Sequence, residues 1–193
     1  MLACDFLTVD TAFLRRLYVL FFISLETRRI EYVACSSNPD GRWVAQQGRN
    51  LVMQLGDEQP FRFLIHDRDA KFSQGFDEVF RSEGIKVIRT PVQTPNANAH
   101  AERWVRTLRA DCLDRILIFG HRHLEHVLRS YHRHYNAHRP HRALRLRPPD
   151  GCEPTPQGAS LHRVEREPND ARRLRRRRRG PLTKKPAVAG GFL

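Results

Sequence analysis

The sequence predicts an α/β protein with a mixed five-stranded sheet flanked by helices. Three observations carry that expectation. Three apolar, strand-like runs follow one another closely near the start of the chain, joined by connections short enough for antiparallel hairpins. Two further short apolar runs, ending at His66 and Arg89, each follow a segment with helical periodicity. Two more helical stretches, both rich in arginine, follow the last run.

Taken in order, residues 2–9 (LACDFLTV) form the first expected strand. Residues 14–25 (LRRLYVLFFISL) form the second and residues 29–36 (RIEYVACS) the third. Asn38-Pro39-Asp40-Gly41 is a turn cluster. Trp43, Val44, Gln47, Leu51 and Leu55 then recur at helical spacing until Gly56 stops them. The run Phe61–His66 is a fourth strand. Phe76, Val79 and Phe80 mark a short helix ending at Gly84, and Lys86–Arg89 is the fifth strand. Helices are expected over about 99–113 and about 124–135, the second burying Leu124, Val127, Leu128 and Tyr131 and ended by Asn136 and Pro140. Pro148-Pro149-Asp150-Gly151 closes the domain. This order, three antiparallel strands and then alternating helices and strands, is that of the ribonuclease-H-like fold.

With 193 residues the chain can bury one full core, and the remainder is too short for a second. The expected division is residues 1–150 as the folded domain, beginning almost at its first strand and therefore truncated at its N-terminus, and 151–193 as a tail. Formal net charge is +13, which favours a polyanionic partner. Arg172, Arg173, Arg175 to Arg179, Lys184 and Lys185 supply nine of those charges with no acid among them, leaving +4 for everything else. That tail, with few apolar residues and no periodicity, is expected to be a disordered polycation. Within the domain the basic side follows residue 100: residues 100–147 hold eleven arginines against four acids. Four cysteines without a CxxC pair or a disulfide-framework spacing point to a reduced, cytoplasmic chain. The most apolar run, Leu17 to Leu25, is too short to span a bilayer and lies too far in for a signal peptide.

The chemistry suggested by the sequence lies in its acids. Asp5 sits inside an apolar strand, Asp67 follows the fourth strand in LIHDRDAKF, and Glu102 opens a helix after the Pro- and Asn-rich stretch TPVQTPNANAH. An acid inside an apolar strand is costly to bury unless it is paired or bound to a metal. Three acids on separate elements of a basic chain suggest metal-assisted chemistry on phosphates. Arg106 and Arg109, four and seven positions after Glu102, share its helix face. Asn96 and Asn98 lie in the loop beside it, and Arg103 is its immediate neighbour.

These features in this order resemble the catalytic core of the retroviral-integrase-like (DDE) transposases of bacterial insertion sequences. Asp5, Asp67 in LIHDRDAKF, Glu102 in NANAHAERWVRTLR and the closing YNAHRPHRAL carry the resemblance, which covers about residues 2–150. The interval of 35 positions from Asp67 to Glu102 is one shorter than the spacing commonest in that family, a difference that falls in the loop. The resemblance implies that Asp5, Asp67 and Glu102 are both the catalytic residues and the ligands of Mg²⁺ or Mn²⁺, with two ions ~4 Å apart assisting an in-line displacement at phosphorus. Oxygen-only ligands suit those ions better than zinc. It also implies DNA as partner, both element ends and target, with Arg103, Arg106, Arg109, Asn96 and Asn98 as contacts. Homo-oligomers when active, and a nucleoid-associated location in a bacterial cytoplasm, follow from the same likeness.

Other readings stand beside this one. A truncated remnant that binds DNA without catalysis would share the composition. A ribonuclease-H-like nuclease would need a fourth acid near the triad and would leave RPHRAL unexplained. Asp10 and Asp69, at a strand end and in a turn, read as turn formers. His132, His134, His138 and His141 lack a Cys partner and zinc-motif spacing, so they read as an exposed basic helix. His66 is compatible with either orienting a substrate or packing.

Overall fold

The structure, a computed structural model, describes residues 1–56, 60–90 and 99–151. The expected loop contacts Asn96 and Asn98, and the basic tail, lie outside the described residues. Five strands, β1 (Leu2–Asp10), β2 (Arg16–Ser24), β3 (Ile30–Ser36), β4 (Phe63–His66) and β5 (Lys86–Arg89), form one sheet in the order β3-β2-β1-β4-β5. Strands β1, β2 and β3 pair antiparallel, whereas β4 lies parallel to both β1 and β5. The helices are α1 (Gly41–Leu55), α2 (Gln74–Ser82), α3 (Ala99–Asp111) and α4 (His121–His138). The mixed five-stranded α/β architecture predicted from the sequence is therefore the one observed.

Side chains alternate across a strand, and the sheet uses that alternation to build two cores. Ala3, Leu7 and Val9 of β1 join Val19, Phe21 and Ile23 of β2 beneath α3 and α4, where Trp104, Leu108, Leu124 and Leu128 complete the layer. Leu2, Cys4, Leu20, Phe22 and Leu64 face the other way, against Val44 and Leu51 of α1 and Phe76 and Phe80 of α2. Fully buried phenylalanines such as Phe21, Phe22, Phe76 and Phe80 each contribute roughly 1.5–3 kcal/mol relative to an exposed side chain. Covering both faces is what makes β2 read as a continuous apolar run.

Local chemistry sets the helix ends. Asp40 caps α1 by accepting the Trp43 N–H at 2.7 Å, and Gly56 ends it at φ 69°, where a side chain would be strained. Ser73 caps α2 in the same way. The two helices meet at Gly48, where an added Cβ would stand 3.1 Å from the Phe80 ring.

The last helix corrects the sequence expectation. It runs to His138, so Asn136 does not end it but lies within it, 3% exposed. The Asn136 amide accepts the Ile30 N–H and donates to the Ile30 carbonyl, both at 2.9 Å. It thereby satisfies the backbone of β3 at the edge of the sheet. Two histidines are also placed differently from an exposed helix face. His132 is half-buried, with Nε2 2.7 Å from the Ile30 carbonyl, and His141 is half-buried beside Tyr135. His134 and His138 are exposed and stacked on one another.

Candidate active site

Strand parity puts the first two acids on one side of the sheet. Asp5 shares the parity of Ala3 and Leu7, and Asp67 that of Ile65; all three apolar residues pack in the core under α3 and α4. The pairing of β1 with β4 matches Ala3 with Ile65. Continued two residues along parallel strands spaced about 4.8 Å apart, that register brings Asp5 level with Asp67. Glu102 lies in the first turn of α3, the helix that covers this face.

Electrostatics ties these positions together. Asp5 is half-buried, and its carboxyl is pushed up to about 6, first by burial and then by the negative charges of Asp67, Glu102 and Asp69. The Phe6 N–H, donating to Asp5 Oδ1 at 2.7 Å, opposes that rise. Among the described residues, three metal-ligating atoms come within 4.8 Å of one another only at Cys35, His121 and Glu125. The ligating oxygens of the three acids therefore do not all lie within 4.8 Å of one another. The donor set fits a hard divalent cation, because it is all oxygen and the buried acid carries the field of its acidic neighbours.

The loop after β4 orients Asp67. Its Oδ1 accepts the Asp69 N–H at 3.1 Å. Asp69 turns to Lys71, accepting its backbone N–H at 2.9 Å and its Nζ at 2.6 Å. Burial works upward on Asp69, but Lys71 outweighs it and the carboxyl lies below its usual range. Lys71 also sits over the rings of Phe6 and Tyr18, at 5.2 and 5.5 Å, so this cation, which the sequence did not single out, anchors the loop against the sheet face opposite Asp5. Asp10, at the far end of β1, pairs with Arg16 in solvent at 2.9 Å.

His66, whose role the sequence left open, has the opposite parity from Asp67. It is 1% exposed and packs on Phe72 and Phe76. Nδ1 lies 2.5 Å from the Asp67 carbonyl and Nε2 lies 3.1 Å from Oδ1 of Asp77. Asp77 is fully buried and also accepts from Arg89 at 2.7 Å. His66 thus ties the backbone that presents Asp67 to a carboxylate on α2. The signal for this was its shared parity with Leu64, which marks it as a core-facing residue.

The expected DNA contacts divide. Arg109 donates to the Thr8 carbonyl of β1 at 2.7 Å, which fixes it on the Glu102 side of α3. Arg106 is exposed on that same face. Arg103 lies on another face, where it lines a cavity with Arg28 and His100. At the other end of α4, Cys35, His121 and Glu125 bring a thiol, an imidazole and a carboxylate together. Burial pushes the Cys35 thiol up to about 12, and His121 Nε2 is occupied by the Cys35 carbonyl at 2.9 Å. Both features oppose metal ligation there.

Comparisons with known proteins agree with this architecture. The family model of the integrase core domain matches residues 83–149. The fold is similar to the catalytic domain of the Mos1 mariner transposase, with a TM-score of 0.55 at 10% identity over 67% of this chain and 68% of that one. It is also similar to a chain of the simian T-cell lymphotropic virus intasome (TM-score 0.53, 12% identity, 70% of this chain and 47% of that one). The HTLV-2 integrase catalytic core domain in complex with magnesium gives a TM-score of 0.50 at 14% identity, over 70% of this chain and 84% of that one. No curated protein matches by sequence.

Proposed function

Since residues 83–149 carry an integrase core domain, on a fold shared with transposase and integrase catalytic cores, we propose that this chain cleaves DNA phosphodiesters and joins DNA strands in transposition. The reading assigns Asp5, Asp67 and Glu102 to divalent-metal ligation, with Mg²⁺ or Mn²⁺ as the ion. The observation that carries it is the convergence of three acids from β1, the end of β4 and α3, close enough for two of them to raise the third. When bound, the ions would lower the pKa of an attacking water or 3′ hydroxyl and stabilise charge on the leaving oxygen.

The remaining work falls to this chain's own side chains. Asp67 is held by the Asp69 N–H on its side chain and by His66 on its carbonyl. Pre-organisation of that kind keeps a ligand within the narrow geometry a metal requires. Arg106 and Arg109, beyond Glu102 on the same face, supply positive charge where a phosphodiester strand would run. No covalent protein intermediate is needed, because the nucleophile is water or the DNA hydroxyl. A Mg²⁺-dependent nicking and strand-transfer assay, on DNA carrying the genomic flanks of the gene, tests the reading. Activity that appears with Mg²⁺ and disappears in Asp67→Asn supports it; full activity in that variant removes the assignment.

A further inference from the structure

On the side of α3 away from Glu102, a cavity of about 200 Å³ is bounded by residues of the β2–β3 turn, α3, the end of α4 and the RPHRA segment that follows. Its lining includes Arg28, Arg103, Arg139, Arg142, His100 and His141, with no carboxylate among the described residues that line it. Among the described residues, three buried side-chain nitrogens are without a hydrogen-bond partner: Arg28 Nη1, Trp104 Nε1 and His141 Nε2. All three residues line this one cavity. Trp104 is only 2% exposed and is clamped against Phe21 with ring centroids 4.2 Å apart, so its indole N–H cannot swing out to find water.

Buried polar groups in folded proteins are paired, and each exception calls for an explanation. Here the exceptions gather at one place. Indole and guanidinium offer only donors, and an imidazole can also donate. The ligand that satisfies such a set is an acceptor carrying negative charge and several oxygens. Arg28 experiences the same crowding: burial and then the Arg103 charge hold it below its ordinary range. Arg139 is already paired with Asp111 outside the cavity, which leaves Arg28, Arg103 and Arg142 as the cations available to an incoming anion. Arginine forks match the oxygens of a phosphate in geometry as well as charge.

We propose that this cavity is a phosphate-binding site, formed by the Trp104 indole, Arg28 and His141 at its back and Arg103 and Arg142 at its mouth. The phosphate belongs either to a nucleic-acid strand or to a free phosphate. The site is separate from the acidic end of the sheet: on α3, positions 100, 103, 104 and 107 face the cavity, whereas 102, 106 and 109 share another face. The inference goes beyond the proposed activity and stands whether or not the three acids bind metal.

The Trp104 indole N–H reports on the cavity directly. In the full chain labelled with ¹⁵N-tryptophan there are two indole signals, and Trp43→Phe assigns them. Inorganic phosphate, titrated against chloride at matched ionic strength, should move the Trp104 signal saturably, and chloride should not. Arg103→Gln combined with Arg142→Gln, both exposed positions, should weaken that response about tenfold or more, the scale of charge-assisted hydrogen bonds lost, with the circular dichroism spectrum unchanged. A short DNA duplex and a single strand form the second arm. Movement of the same signal by DNA assigns the phosphate to a strand, and movement by phosphate alone assigns it to a free ion. Asp67→Asn should respond as the wild type does, which separates this test from that of the metal site. A Trp104 signal that ignores phosphate, or one that responds equally in the double variant, overturns the proposal.

Discussion

Helix α3 separates two environments of opposite sign. Toward the end of the sheet it presents Glu102 to Asp5 and Asp67, where carboxylates accumulate and the buried one is pushed up to about 6. Toward α4 it presents Arg103 and Trp104 to Arg28 and His141, where cations and unpaired donors accumulate. Like charges gathered in this way cost folding energy on both sides. The difference teaches that neither cluster is explained by stability. Each is a place where an ion of the other sign would be welcome, a cation at the acids and an anion at the arginines.

The comparison is broken most completely by removing an acid. Asp5→Asn, Asp67→Asn and Glu102→Gln should each reduce Mg²⁺-dependent nicking to background, and a double variant should be no worse than either single one, because the three would act as a unit. The fold should tolerate Asp5→Asn. Burial and the acidic neighbours disfavour the ionised carboxyl that prevails at pH 7.5, so a neutral isostere should leave the thermal midpoint at that pH unchanged or higher.

Next in size is the scaffold under the acidic side. Asp77→Ala should destabilise the protein by about 3 kcal/mol, the scale for breaking a buried charged pair, at the lower end because Arg89 is half-exposed and can turn to water. Urea denaturation measures this. His66→Phe keeps the packing on Phe72 and Phe76 but loses the tie to Asp67 and the partner of Asp77 Oδ1, so it should reduce both divalent-ion affinity and stability.

How much of this was legible in the sequence depends on the element. The five strands, their helices and the three acids could be read because each is a local signal: an apolar run, a 3.6-residue spacing, an acid in an unlikely place. The strand parity that sends Asp5 and Asp67 to one face was available as well. What could not be read required contacts across long separations. Asn136 looked like a helix terminator, yet it binds Ile30 more than a hundred residues away, and nothing in its neighbours says so. Arg28 belongs to the short connection between the second and third strands, and its place beside Trp104 and His141 exists only once that turn meets the end of α4. Lys71 was hidden because its partners, Asp69 and the rings of Phe6 and Tyr18, come from three different segments. Arg103 was grouped with Glu102 by adjacency, but adjacent residues on a helix do not share a face.

A smaller effect concerns pH. With no divalent ion, the raised Asp5 pKa favours the folded state below about pH 3.8; that advantage is lost as pH rises through about 6. Divalent ions compete with the same proton. The rise in thermal midpoint caused by Mg²⁺ should therefore be full at pH 7.5 and much reduced at pH 5, as differential scanning calorimetry at the two pH values would record. The smallest effect is expected at Asp10, whose pair with Arg16 is exposed. Asp10→Asn should leave both activity and the thermal midpoint at the wild-type level, which separates an acid at the end of β1 from the acid in its middle.

The most direct measurement of the central claim is Mn²⁺ binding, followed by electron paramagnetic resonance, to the full chain and to Asp5→Asn, Asp67→Asn and Glu102→Gln in turn. A single site shared by β1, β4 and α3 predicts saturable binding in the wild type that is lost or strongly weakened in every one of the three. Wild-type binding retained in any one of them, with the fold intact, would contradict it.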